Sequence, residues 1–271
     1  MEMSKERNKR IYKLAYEYLI EIPGVNVVLL EKYLAPDPNQ KANSMENVFK
    51  RLIISSANRQ MSQNVILKRI NNVSGEAEGL RTVLFNFNHE KVLEKYNNDS
   101  QALLTDIKKT TLIEGIREEK NSLWPKFCET ILSVAKFLSK FKNIEDLSKW
   151  FKFFDDDSRS RVALPMIISF EIKGIGFALA CDFLKEIGYT GFGKPDVHIK
   201  AIFKELNIAN STDDYSVFND IVSFSNSVEK NSYNVDKLFW LCATRNFYND
   251  KINLGTDRDA FLNYMKKELQ K

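Results

Sequence analysis

Asp196 stands just ahead of an apolar repeat at helical spacing, Ile199, Ile202, Phe203 and Leu206, and 20 residues upstream Gly176 closes a Gly174-Ile175-Gly176 turn. Glycines lack a Cβ, so the chain can bend sharply there and bring backbone N–H groups against a ligand. At a helix start those groups have no internal acceptor and the dipole favours an anion, which makes phosphate the natural guest. Lys173 and Lys194 flank the turn and the aspartate and suit the same anion. Taken alone, Asp196 is an N-cap worth about 1 kcal/mol. His198 lies two residues beyond it on a different helix face, which suits a structural role beside the backbone better than proton transfer. Cys128, Cys181 and Cys242 are too scattered to ligate a cluster and read as buried, inert thiols.

The elements that must position these groups are helical. Phe177, Ala180, Cys181, Leu184 and Ile187 mark the helix after the turn, and the apolar stretch Val162 to Phe170 is its partner before it. A loop with Gly188, Gly191 and Gly193 leads to Lys194-Pro195-Asp196. Ile11 to Ile22 is an amphipathic helix whose Lys13 and Glu17 rule out a membrane span, and Phe127 to Phe141 carries another long apolar face. Strand signals are confined to Val25 to Leu30 and Leu80 to Phe87, where a buried helix turn fits equally well. The acidic run Asp155 to Asp157 reads as a solvated loop placed to cap the next helix, and no internal repeat stands out. The expected fold class is all-α. At 271 residues and 44% apolar composition the chain can fill one domain or two lobes, and its net charge of +4 is a weak pointer to nucleic acid.

The run Lys173-Gly174-Ile175-Gly176-Phe177-Ala178-Leu179-Ala180, followed by Pro195-Asp196-Val197-His198-Ile199, resembles the helix-hairpin-helix DNA glycosylases, the superfamily of endonuclease III and of the adenine, 8-oxoguanine and alkylation-repair glycosylases. The segment from Phe49 to Ile70 resembles that family's early helix and duplex-entering loop, with Asn58 at the tip and Arg59 beside it. Val235 to Tyr248 resembles its closing helix. The resemblance implies a two-lobed helical fold with a cleft, one lobe near residues 46–190 and the other formed by 1–45 with 191–271, and Asp196 facing that cleft. It implies that Lys173, Gly174, Ile175, Gly176 and Lys194 grip the DNA backbone, that Asn58 fills the gap left in the duplex with Arg59 as a basic DNA contact beside it, and that Asp196 is the catalytic carboxylate.

The departures from the family pattern are as informative. Bifunctional members carry a Schiff-base lysine two residues after the second hairpin glycine; this chain has Ala178, which cannot be a nucleophile. A monofunctional enzyme is therefore expected, with a bifunctional lyase or a non-catalytic helix-hairpin-helix DNA-binding protein as the alternatives. No iron–sulfur cluster and no resident metal are expected, although the family often adds a monovalent cation at the hairpin. The implied partner is double-stranded DNA with a damaged or modified base, bound by an intracellular monomer without membrane attachment. Aromatic residues that could line a base pocket (Trp124, Phe127, Trp150, Phe192, Trp240 and Phe247) favour a cationic alkylated purine.

Overall fold

The computed structural model describes residues 2–37, 41–57, 78–111 and 116–271. Asn58 and Arg59 lie outside them. The chain divides into two compact units, Met1–Gln40 with Gly188–Lys271, and Lys41–Ile187. Both are helical; the single sheet among the described residues is a two-residue antiparallel ladder, β1 (Asn246–Phe247) with β2 (Ile252–Asn253).

The unit formed by the two chain ends contains α1 (Glu2–Ile20) and α2 (Val27–Leu34). The middle unit contains α3 (Met45–Ala57), α4 (His89–Tyr96), α5 (Ser100–Thr111), α6 (Leu123–Leu138), α7 (Ile144–Asp155), α8 (Ala163–Glu171) and α9 (Phe177–Glu186). The terminal unit resumes with α10 (Val197–Glu205), α11 (Asp214–Ser227), α12 (Ser232–Thr244) and α13 (Arg258–Leu269).

Helix α12 is the hub of the terminal unit, packing on α1, α2, α10, α11 and α13. Four core rings lock together around it: Phe203 of α10 lies 5.4 Å from Phe239 and 5.7 Å from Phe224, and Phe239 is 6.3 Å from Phe261. Each such pair adds about 0.5–1.5 kcal/mol beyond its buried area. This cluster anchors α10 and so fixes where its first residue sits. In the middle unit α6 packs on α3, α4 and α5, while α9 packs on α8 and α3.

Two stretches with strand signals fold otherwise. Val25 to Leu30 runs into α2, and Leu80 to Phe87 is a tight turn in which Phe85, Asn86 and Phe87 all have positive φ. Unbroken apolar runs carry no period, so such a run fits either element. The acidic run does not cap the next helix: Asp155 ends α7 and pairs with Arg161 at 3.0 Å, Asp157 binds Arg159, and α8 starts at Val162 without a side-chain cap.

Candidate active-site aspartate and anion-binding hairpin

Among the described residues eight helices begin at an Asn or Asp whose side chain accepts a first-turn N–H: Asn26, Asn88, Asn143, Asp196, Asp213, Asn231, Asp257 and Asp99, whose Oδ1 accepts from both Gln101 N and Ala102 N. Asp196 is thus one cap among several. Its Oδ1 accepts from both His198 N (2.9 Å) and Ile199 N (3.0 Å). Oδ2 accepts no hydrogen bond from any described residue.

Its surroundings set it apart. Phe192 is fully buried against Phe218, and the backbone of Gly193 lies so close to α11 and α12 that a Cβ there would meet Ile221 Cγ2 at 2.6 Å and Ser232 O at 3.2 Å. Thr190 O accepts from Tyr233 N at 3.0 Å, and Lys194 N donates to Asp236 Oδ2 at 3.0 Å. The loop is thereby stitched to the start of α12, with a second carboxylate, Asp236, only 2% exposed, clamping the backbone two residues before Asp196. Burial pushes the Asp196 carboxyl above the usual carboxylate range and repulsion from Asp236 adds to this, against the pull of the Ile199 N–H, Lys194 and His198. Asp213 caps α11 through one bond, from Ser216 N to Oδ1, and its carboxyl is pulled down to about 2 by the Ser211 hydroxyl and the Ser216 N–H. Burial and a neighbouring charge drive one cap up, and hydrogen bonds draw the other down.

Asp236 is missed in the sequence because it lies 40 residues downstream of Asp196. Its signal is an acid in register with the buried positions Ser232, Phe239 and Ala243 of α12. Among the other expected groups in this unit, Lys194 contributes its backbone N–H to the clamp, and His198 Nδ1 is buried with no hydrogen-bond partner.

In the middle unit, the Gly174-Ile175-Gly176 turn joins α8 to α9. Gly174 has φ +83°, Ile175 N donates to Ile172 O at 3.2 Å, and Ile172 and Ile175 are buried beneath the turn. Lys173 N donates to Ser133 Oγ (2.9 Å) on α6, and its ammonium lies 3.7 Å from Glu129. Gly176 occupies the N-cap position, is exposed, has no capping side chain, and a Cβ built on it would meet nothing within 4 Å. Ala178 lies in the first turn of α9, half-buried.

The same turn occurs a second time, although the sequence shows no repeat. Ile22-Pro23-Gly24-Val25 joins α1 to α2 with Gly24 at φ +87° and Val25 N donating to Ile22 O at 3.0 Å. There Asn26 accepts from Leu29 N at 2.9 Å, and Ile252 Cδ1 comes within 3.3 Å of where a Gly24 Cβ would sit. The turn at Gly24 leads into a helix start capped by Asn26; the helix start after the Gly174 turn, at Gly176, has no capping side chain. An uncovered helix start with unsatisfied N–H groups is the form suited to an anion.

Of the aromatic residues considered for a pocket, Trp124, Phe127, Phe192 and Phe247 are core, leaving Trp150 and Trp240 half-buried. Trp150 packs among Phe137, Phe141, Phe151 and Phe154. Trp240 faces Tyr248 at 6.3 Å, with the Lys237 ammonium 5.5 Å from its ring. Cys128, Cys181 and Cys242 are buried free thiols; burial pushes the Cys128 thiol up to about 12. Among the described residues no cluster of His, Cys, Asp and Glu could hold a metal ion, and no helix is long and apolar enough to cross a membrane.

No family model matches the chain, and no curated protein matches it significantly. Among solved structures it is similar to the 8-oxoguanine glycosylase/lyase of Methanocaldococcus jannaschii in complex with a 15mer DNA containing 8-oxoguanine. The two are 16% identical with a TM-score of 0.48, over 87% of this chain and 97% of that one.

Proposed function

We propose that the chain is a DNA glycosylase that flips a damaged or modified base out of the duplex and hydrolyses its N-glycosidic bond. The observation that carries this reading is Asp196, a helix cap that is also desolvated and set beside a second buried carboxylate. Capping alone needs neither feature, as Asp213 demonstrates, whereas perturbed carboxylates concentrate at reactive sites.

In this reading the hairpin binds a backbone phosphate through its first-turn N–H groups with Lys173 beside them, and Lys194 is a further contact to the DNA backbone. Asn58 fills the gap left by the flipped nucleotide and Arg59 supports it. As the base leaves, C1′ of the sugar acquires positive charge, which the Asp196 anion stabilises; one such preorganised group contributes on the order of 3 kcal/mol. Oδ2 is the oxygen placed for this, and it also orients the attacking water. His198 serves as a structural neighbour. Ala178 supplies no amine, so the product is an abasic site and not a cut strand. A monovalent cation held by hairpin carbonyls would help to fix the phosphate. An alkylated purine, held against an aromatic face, is the favoured substrate class in this reading. The protein acts as an intracellular monomer on double-stranded DNA.

The specific observation favouring the second reading, a non-catalytic DNA-binding protein, is that seven other helices carry an Asn or Asp cap, one of them Asp99 with the same pair of bonds to Oδ1 as Asp196. A panel of duplex oligonucleotides, each carrying one alkylated, oxidised, deaminated or mismatched base, decides between them. Base release by the wild type that is abolished in Asp196→Asn while duplex binding persists supports the enzyme. Binding without release on every substrate establishes the binder. A borohydride-trapped protein–DNA adduct would instead indicate a lyase.

A further inference from the structure

A groove of about 730 Å³ runs between α10 and α13, lined by four basic residues, Lys200, Lys204, Arg258 and Lys266, against two acidic ones, Glu205 and Asp259. Helix periodicity explains the lining. Val197, Lys200, Ala201 and Lys204 share the face of α10 opposite the buried Ile199, Ile202 and Phe203.

The charges in the groove are unevenly matched. Lys200 pairs with Asp214, and Lys266 pairs with Glu205 at 3.0 Å. Lys204 is exposed and has no ion pair among the described residues. Arg258 holds its Nε buried without a hydrogen-bond acceptor. The Lys266 hydrogen bond, with the charges of Lys266, Lys204 and Arg258 behind it, holds the Glu205 carboxyl below its ordinary range. The planar fork of a guanidinium, through its terminal nitrogens, matches two oxygens of a phosphate.

Position and length narrow the ligand. The groove begins at Val197, the residue after Asp196, whose side chain is 71% exposed. From there to Lys204 the helix rises roughly 10 Å at 1.5 Å per residue, about three nucleotides of one strand at 3.4 Å each. We infer that this groove binds the phosphodiester backbone of a DNA strand, with Lys204 and Arg258 as its anion contacts. The choice of DNA over another polyanion rests on the glycosylase reading of Asp196.

The test is the salt dependence of binding to an undamaged fluorescent duplex, measured by anisotropy on the full chain. Wild type is compared with Lys204→Ala, Lys204→Arg, Arg258→Gln and the Lys204→Ala/Arg258→Gln double variant, with Lys13→Ala as a control on α1. Removing one cation from a phosphate should lower the slope of log K against log salt by about 0.9. The double variant should therefore bind about tenfold more weakly or worse, while Lys204→Arg and Lys13→Ala match wild type. Circular-dichroism melting identifies variants that fold; should Arg258→Gln not fold, the Lys204→Ala and Lys204→Arg pair decides alone. A wild-type slope in folded Lys204→Ala overturns the groove assignment, and excision by the wild type would leave the glycosylase reading standing. Weakened binding in the variants of a protein that excises no lesion upholds the groove and ends that reading. Wild type with no affinity for duplex ends both.

Discussion

Replacing Asp196 by asparagine and by alanine separates its capping of α10 from the catalytic role proposed for it. Both cap bonds fall on Oδ1, at 2.9 and 3.0 Å, and asparagine presents a carbonyl oxygen in the same place. Asn and Asp are equivalent caps, so Asp196→Asn keeps α10 anchored while deleting the charge; Asp196→Ala loses about 1 kcal/mol, roughly 2–4 °C in Tm. The sign of the charge effect follows from the raised carboxyl pKa. A group that holds its proton more tightly when folded contributes stability that is full below about pH 3.9 and is lost as pH rises through the folded value. Asp196→Asn should therefore match or exceed wild type in Tm at neutral pH, and that advantage should vanish in acid. Catalysis should move the other way: losing about 3 kcal/mol of transition-state stabilisation slows single-turnover base release on the order of 10²-fold. The assay is excision from a lesion-bearing duplex under enzyme excess, with thermal melts of all three proteins across pH. Wild-type excision by Asp196→Asn, or a Tm deficit as large as that of Asp196→Ala, would refute the reasoning.

Asp236→Asn removes the neighbouring negative charge, so the acid limb of the pH–rate profile should shift to lower pH; an unmoved limb would mean that the two carboxyls do not interact. Gly176→Ala places a methyl in open space at ordinary φ, so Tm should change by less than about 0.5 kcal/mol equivalent while duplex affinity falls at least several-fold; unchanged binding would remove the hairpin from the interface. Gly193→Ala drives a Cβ into Ile221 and the Ser232 carbonyl, and should cost about 1–3 kcal/mol by overpacking together with a loss of excision, read by denaturant melts and single-turnover rates.

What can be read from the sequence is what short-range chemistry dictates. The Gly174 turn, the helices on either side of it and the cap at Asp196 follow from positions a few residues apart, and the structure builds each of them. Asp236 stays invisible because its partner, the Lys194 N–H, is brought to it only by the packing of Phe192 and Gly193. The turn at Gly24 looks like punctuation, since Pro23 and Asn26 disguise a geometry that rests on one positive-φ glycine and one backbone hydrogen bond. Phe192 and Phe247 resemble pocket walls when aromatics are picked out by type; only the packing reveals them as core. The division near residues 40 and 188 depends on contacts between the chain ends, which no local pattern encodes.

The mounting of Asp196 explains why a shorter acid stands there and not glutamate. With Oδ1 fastened to two amides of α10, the carboxylate's torsion is set by the scaffold, and its orientation needs no adjustment as charge builds up nearby. One more methylene would carry the head group past those amides and let it swivel. In the proposed reaction the same negative charge would then have to be ordered at every turnover, an entropic toll that the present arrangement settles once, during folding.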